Sequence, residues 1–274
     1  MSNDLVINTP GVYDISPAAY HRDPVPGGSL SSSGARLLLS ATPAEFRYRQ
    51  FNPKTTDAMD FGSVAHRVVL GKGDDYEVLD FPNRTTNAYK AADKAAREAG
   101  RIPILKKDFE TVLAMAKVMR ENRDVARLMA TGKAEQVIIW KAGAIWRRAM
   151  LDWINDEGPV DYKTTTDLSD RALAKAVWNY RYDLQLAWYR DACAAVGLPA
   201  EKCRLVFQSK TAPYLVRVIT IDPYDLAAAQ DTNEGLAKVY RDCVALDEWP
   251  GYAEGETTIS LPTWTRSTDN EETV

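Results

Sequence analysis

The chain has 274 residues, 45% of them hydrophobic and 26% charged, with a formal net charge of −4. That composition belongs to a globular protein large enough to build a core rather than to a disordered one. Three cysteines without CxxC spacing argue against a disulfide framework, a zinc ribbon or an iron–sulfur cluster, and the longest apolar runs, such as VIIW at 137–140, are far short of the roughly 20 residues of a membrane span.

The opening MSNDLVINTPGVYD has no basic region followed by an apolar one, so no secretory signal is expected. A reducing cytoplasm is the expected compartment. Residues 1–30, with Pro10, Pro17, Pro24, Pro26 and Gly27-Gly28, read as an irregular arm. Residues 31–249 read as one domain, helical over 31–130 and carrying the chemistry over 131–249, followed by a polar tail, 250–274. In the helical part, Ser31 to Ser33 are N-cap candidates, Pro43 starts a second helix, and 60–71, 86–99 and 108–130 have helical spacing. From 134 onward AEQVIIW, AIWRRAMLDWI and PVDYKTT are rich in β-branched and aromatic residues and are separated by turns, which predicts a three-strand meander. A helix broken near Asn179 to Tyr182, two strands joined by KTAP, and a helix opened by Asp-Pro follow. This order predicts a mixed α/β fold: a central mixed sheet of about five strands with an antiparallel meander, flanked by helices.

The chemistry concentrates in GPVDYKTTTD. Asp161 and Lys163 are two apart and share a strand face, and Asp152 near the end of the preceding strand meets Asp161 across the pair. Two close carboxylates repel, and a divalent cation such as Mg²⁺ or Mn²⁺ resolves the repulsion. A lysine on the same face positions a water or offsets charge on a phosphate. His66 and Glu135 are the remaining candidates to complete such a site. The plain alternatives stay open: a surface salt bridge for the Asp161–Lys163 pair, a core histidine for His66, the last solvated residue of a strand for Glu135.

Gly62 to His66 (GxxxH), Glu135, Arg148 to Asp152 (RxxxD), DYK at 161–163 and Gln185 to Tyr189 (QxxxY) occur in this order. The set resembles the PD-(D/E)xK nuclease superfamily, in its branch with RecB-type nuclease domains and λ exonuclease. YHRDPVPGGSLSSSGARLLLSATPAEFRYRQF followed by MDFGSVAHRVVLG is similar to exonuclease VIII (RecE) C-terminal-domain proteins of phages and prophages, and the resemblance spans about residues 20–245. It implies a restriction-endonuclease-like core, with Asp152 and Asp161 as metal-bridging acids, Lys163 as the catalytic lysine, His66 as a further ligand or proton handler, and the Tyr162 carbonyl as a ligand. Mg²⁺, replaceable by Mn²⁺, is the implied cofactor, and the four cysteines of the iron–sulfur members are absent.

Gln185 and Tyr189 lie on one helical face and are either DNA contacts or part of a half-buried amphipathic helix. Arg148 is a phosphate contact or an ion pair. Ser33 is a further DNA-binding candidate, and Arg36, Arg47, Arg49, Arg67 and Arg147 are basic candidates for a DNA-facing lining. Because a local basic lining is enough to hold phosphates, the negative net charge is no veto.

The implied activity is a metal-dependent 5′-to-3′ exonuclease on linear double-stranded DNA that leaves 3′ overhangs for recombination. Its implied partners are duplex ends, a single-strand annealing protein (RecT-like) and copies of itself in a homo-oligomeric ring, in the host-cell cytoplasm if the chain is phage-encoded and with no membrane. The alternatives are an endonuclease or branched-DNA nuclease of the same superfamily, and a catalytically silent module that binds DNA ends or an annealing protein.

Overall fold

The computed structural model of the protein describes residues 5–52 and 55–261. Its first elements correct the expected irregular arm. Strand β1 (Gly11–Tyr13) runs antiparallel beside 137–139, helix α1 (Pro17–His21) follows, and β2 (Ser29–Ser31) pairs in parallel with 146–148. The prolines and glycines do break the segment locally, yet strands this short need only a few extended residues and an edge to pair with. Helix α2 (Ser32–Ser40) starts at Ser31, whose Oγ accepts the Gly34 N–H, and α3 (Pro43–Phe51) starts with a Thr42/Glu45 capping box.

Helix α4 (Asp57–Leu70) carries the GxxxH segment. A separate parallel pair, β3 (Tyr76–Leu79) and β4 (Ile102–Leu105), brackets α5 (Asn87–Glu98). The helix expected over 108–130 is two, α6 (Lys106–Glu121) and α7 (Arg123–Leu128). Asn122 divides them because its Oδ1 accepts the N–H groups of Asp124 and Val125 and so begins a new helix.

The expected meander is present as β5 (Lys133–Ala142), β6 (Ile145–Asn155) and β7 (Gly158–Thr165). Helices α8 (Asp170–Tyr180) and α9 (Tyr182–Ala195) meet at Arg181, which is left-handed with φ +52°. β8 (Arg204–Ser209), β9 (Val216–Ile219) and α10 (Pro223–Leu246) complete the order. The main sheet has seven strands in the order β1-β5-β6-β7-β8-β9, with β2 on β6. It is mixed, since β7 and β8 are parallel and the rest of the meander is antiparallel.

Helices cover both faces. Leu184, Leu186, Ala187 and Trp188 of α9 pack with Leu205, Phe207 and α10 on one face, while Val64 and Ala65 of α4 pack with Val160, Tyr162 and Val206 on the other. β7 is therefore buried from Gly158 to Tyr162, as a strand between two helical layers must be. The turns around it are tight: a Cβ on Gly132 (φ +111°) would lie 2.1 Å from the Ile154 carbonyl oxygen, and one on Gly158 (φ +142°) would lie 2.6 Å from that of Lys202.

The start of the tail packs rather than trailing. Trp249 stacks on Phe46 with ring centroids 5.6 Å apart, and the Ala44 N–H donates to the Pro250 carbonyl at 3.1 Å. The remainder of the expected loose tail, 262–274, lies outside the described residues. Among the described residues no helix is long and apolar enough to cross a membrane.

Between α9 and α10, Asp191 accepts from the Gln230 amide at 2.9 Å with Oδ1, while its Oδ2 is buried without a hydrogen-bond partner. Burial pushes its carboxyl up to about 6, against the pull of Arg190 and Arg147. A raised acid pKa means that the folded state holds its proton after the unfolded state has released it, so Asp191 costs stability increasingly as pH climbs from about 4 through 6. The stability of Asp191→Asn relative to the parent is expected to improve by roughly 1–2 kcal/mol between pH 5 and pH 8, solvent screening included. Urea melts at the two pH values check this, and a pH-independent difference would contradict it.

Candidate active site at the strand fork

The edge of β6 that faces β7 is shared. β2 pairs with it over Trp146–Arg148 and β7 over Trp153–Asn155, which leaves 149–152 without a ladder partner on that side. β7 meanwhile stays paired to β8 from Val160 to Thr165. The two strands thus fork at Asp152 and Asp161, and the carboxylates stand where the ladder stops. The Tyr162 N–H, released from the ladder, donates to Asp152 Oδ2 at 2.8 Å.

Both helical layers reach into the fork. From α4, His66 Nε2 lies 2.9 Å from the Tyr162 carbonyl oxygen and 3.5 Å from Asp152 Oδ2. His66 therefore faces the acids and is not a core histidine. Gly62, one turn earlier, meets nothing: a Cβ there would have no atom within 4 Å, so the glycine leaves open space before the site instead of closing a helix contact.

From the other layer, Lys163 Nζ lies 2.6 Å from Asp161 Oδ2, and Gln185 Nε2 of α9 donates to Asp161 Oδ1 at 3.1 Å and to the Tyr189 hydroxyl at 2.7 Å. Asp161 has 0% exposure. Its Oδ2 is thus partnered by Lys163, as its Oδ1 is by Gln185. Burial, then the Asp152 charge, pushes the Asp161 carboxyl up to about 6, with Lys163 and His66 opposing. Burial works against the Lys163 charge too, but Asp161, Asp152 and Tyr182 outweigh it and hold the ammonium above its usual range. The Lys163 ammonium thus offsets the repulsion between the carboxylates only in part.

Tyr162 is fixed from behind. Its hydroxyl donates to Gln208 Oε1 at 2.7 Å, and the Gln208 amide donates to the Met115 carbonyl at 2.9 Å. The strand that carries Asp161, the carbonyl and Lys163 is thereby anchored through a buried polar chain to α6.

Among the described residues no three His, Cys, Asp or Glu side chains are gathered closely enough to form a metal cage by themselves. The donors nonetheless fit a hard divalent cation in kind: two carboxylates, an imidazole and a backbone carbonyl at one fork, with the buried Glu135 Oε2 beside them lacking a hydrogen-bond partner. A cation held there would have to share Asp161 with Lys163. Glu135 adds a third acid. It lies on β5 between the pairs Ala134↔Trp153 and Gln136↔Leu151, hence across from Asp152, and its φ of +48° breaks the regular strand. It is buried, its Oε2 has no partner, and burial followed by Asp152 raises its pKa. It is not the last solvated residue of a strand.

The DNA-facing assignments fare differently. Gln185 and Tyr189 are 6% and 4% exposed and stand behind Asp161, so they orient it and do not face solvent. Arg148 is buried and is an ion pair: Nη1 lies 2.7 Å from Asp23 Oδ2 and donates to Ser29 Oγ at 2.8 Å and to the Ser29 carbonyl. Arg147 is buried on Glu234 at 2.6 and 2.9 Å. Ser33 is exposed on α2, and Arg36, one turn on, donates to the Tyr180 carbonyl at 3.0 Å. Arg67 lies against Asp75, Arg47 sits over the Phe51 and Trp249 rings, and Arg49 is exposed. Sequence reasoning missed Tyr182, whose ring lies 5.0 Å from Lys163 Nζ, and Asp23, the partner of Arg148. A signal for the first existed in the NYRYD at the helix break; Asp23, 125 residues from Arg148, gave none.

A mixed sheet between two helical layers, forked where two acids and a lysine meet, is the architecture of a PD-(D/E)xK-type core. The sequence profile of the family described as "PDDEXK-like domain of unknown function (DUF3799)" matches residues 38–261, and the chain belongs to that family. No curated protein matches the chain in sequence. Among solved structures, a protein described as "Putative exonuclease" from Eubacterium rectale is similar in fold, with a TM-score of 0.61 at 12% identity over 89% of this chain and 97% of that one. SSO0001 superimposes at a TM-score of 0.29 and 14% identity, over 73% of this chain and 99% of that one. Of these two, only the first likeness bears on the fold.

Arg148→Ala is expected to act on stability. Removing the guanidinium takes the counter-charge from Asp23, leaving it only the Ser29 and Val25 donors, and unfastens the N-terminal segment, at a cost of about 3 kcal/mol, the scale for breaking a buried pair. A thermal melt checks this; an unchanged melt with weakened DNA binding would restore the phosphate-contact role.

Proposed function

We propose that the protein is a metal-dependent nuclease, and more specifically a 5′-to-3′ exonuclease on linear duplex DNA that leaves 3′ single strands for phage-type recombination. One observation carries the chemistry: Asp152, Asp161, the Tyr162 carbonyl and His66 converge on the β6–β7 fork with Lys163 Nζ 2.6 Å from Asp161. The order of the motifs supports the finer reading, and so does the description of the Eubacterium rectale neighbour.

In this reading Asp152, Asp161 and the Tyr162 carbonyl, with His66, hold Mg²⁺ or Mn²⁺. When bound, such a cation polarises the scissile phosphate and makes a water more acidic. The rest is the work of the chain's own groups. Gln185 holds Asp161 in one orientation from behind. Lys163, kept protonated by the two acids, leaves Asp161 to orient the attacking water and to stabilise the charge that develops on the phosphate oxygens. A protonated lysine is no general base, so the buried acid Glu135, with its unpartnered Oε2, is the acceptor assigned to hold water on the His66 side. Gly62 keeps the approach open for the phosphate backbone. A single-strand annealing protein and further copies of this chain, arranged as a ring, are the partners this activity calls for.

Digestion of end-labelled linear duplex, with Mg²⁺ and with EDTA, tests the reading. A covalently closed circle is expected to stay intact, and a circle that is cut would replace the exonuclease by an endonuclease. Lys163→Ala is expected to keep DNA binding in Ca²⁺, which is spread over many phosphates, and to lose about 10²-fold or more in single-turnover cleavage. Near-normal cleavage in that variant would reduce the Asp161–Lys163 contact to a salt bridge and remove the main support for a nuclease.

A further inference from the structure

Beside the fork lies an aromatic step whose outer ring none of the chemistry above uses. Tyr182, the first residue of α9, packs on the core ring of Phe207 at 6.0 Å and carries the Lys163 ammonium 5.0 Å from its centroid. Tyr180, the last residue of α8, stacks on Tyr182 with centroids 5.5 Å apart and planes inclined by 26°. Tyr180 is 63% exposed. Two rings thus lead from the fork outward, the inner one anchored in the core and the outer one offering a bare face to solvent.

The backbone holds this step in place. Arg181 between the rings is left-handed, a conformation that costs a non-glycine residue about 1 kcal/mol or more, and its side chain is clamped to Asp183 by contacts of 3.1 and 2.8 Å. Arg36 of α2 donates to the Tyr180 carbonyl at 3.0 Å from the neighbouring layer. Lys163 thus lies over the inner ring, and Arg36 reaches the backbone that carries the outer one. Rings interleaved with positive charge form a surface that fits unpaired nucleotides, whose bases stack and whose phosphates seek cations. Paired bases inside a duplex have no free face to offer.

We infer that Tyr180 and Tyr182 form a stacking platform for unpaired DNA nucleotides next to the scissile phosphate, so that the strand at the site is held frayed from its complement. The inference rests on the nuclease reading and names the form of its substrate. Equilibrium binding tests it, in Ca²⁺ to prevent turnover, with a short blunt duplex and the same duplex bearing an unpaired thymidine fork at one end. The parent is expected to prefer the fork. Tyr180→Ala is expected to lose about tenfold of that preference, the value of one base stacked on one ring, and Tyr180→Phe to keep it.

An unchanged preference in Tyr180→Ala, or equal losses on blunt and forked DNA, would overturn the platform. So would a Tyr180→Ala protein whose only change is in its self-association, since the ring would then be a contact between copies. Cleavage of the same duplexes in Mg²⁺ separates the two readings. A parent that cleaves but shows no Tyr180-dependent preference defeats the platform alone. A parent that shows the preference but never cleaves defeats the nuclease and leaves a binding site, and one that neither binds nor cleaves defeats both.

Discussion

A carboxylate with no exposure to water, Asp161, stands one strand away from a second carboxylate, Asp152, whose charge helps to raise its pKa. Desolvation and like charge oppose this arrangement, and hydrophobic packing cannot relieve either. The surroundings answer with Lys163 on one oxygen, the Gln185 amide on the other and the Tyr162 N–H on Asp152. The compensation is incomplete, because the Asp161 carboxyl is still pushed up to about 6. In the proposed reading, a divalent cation would relieve both acids and free the lysine for a phosphate.

The fork in the sheet allows it. Had β7 paired with β6 along its whole length, the Tyr162 N–H would belong to the ladder and could not reach Asp152. β2 prevents this by occupying the same edge of β6 further along, and Arg148 fastens β2 there through Ser29 and Asp23. A residue of the RxxxD pattern thereby serves the geometry of the acids at one remove. Tyr162, tied to Gln208, fixes the strand from the other side. Buried polar groups of this kind add little net stability, but they exclude other registers for the strands that carry the chemistry.

The meander, the broken helix at 180–182 and the Asp222-Pro223 helix start were legible because each has a strong local signal: β-branched runs between turns, two tyrosines around a break, a cap followed by proline. The N-terminal strands and the β3–β4 pair were not, since three or four residues carry no usable periodicity and their pairing is decided at a distance. At the site, the acids, lysine and histidine could be read from their order along the chain. The side chains read as DNA contacts could not be sorted. Arg148, Gln185 and Tyr189 look like surface groups in the sequence, and only the partners at Asp23 and Asp161 show that they face inward. Glu135 owes its orientation to a left-handed backbone that nothing in AEQVIIW announces.

The central claim is that the strand fork is a divalent-cation site whose acids are held ready by Lys163. A crystal structure of the protein grown with Mn²⁺, with anomalous scattering collected at the manganese edge, tests it most directly. The account predicts an anomalous peak bound by Asp152, Asp161 and the Tyr162 carbonyl, with the Lys163 ammonium moved off Asp161. No peak at the fork, or a peak elsewhere with Lys163 still paired to Asp161, would contradict it.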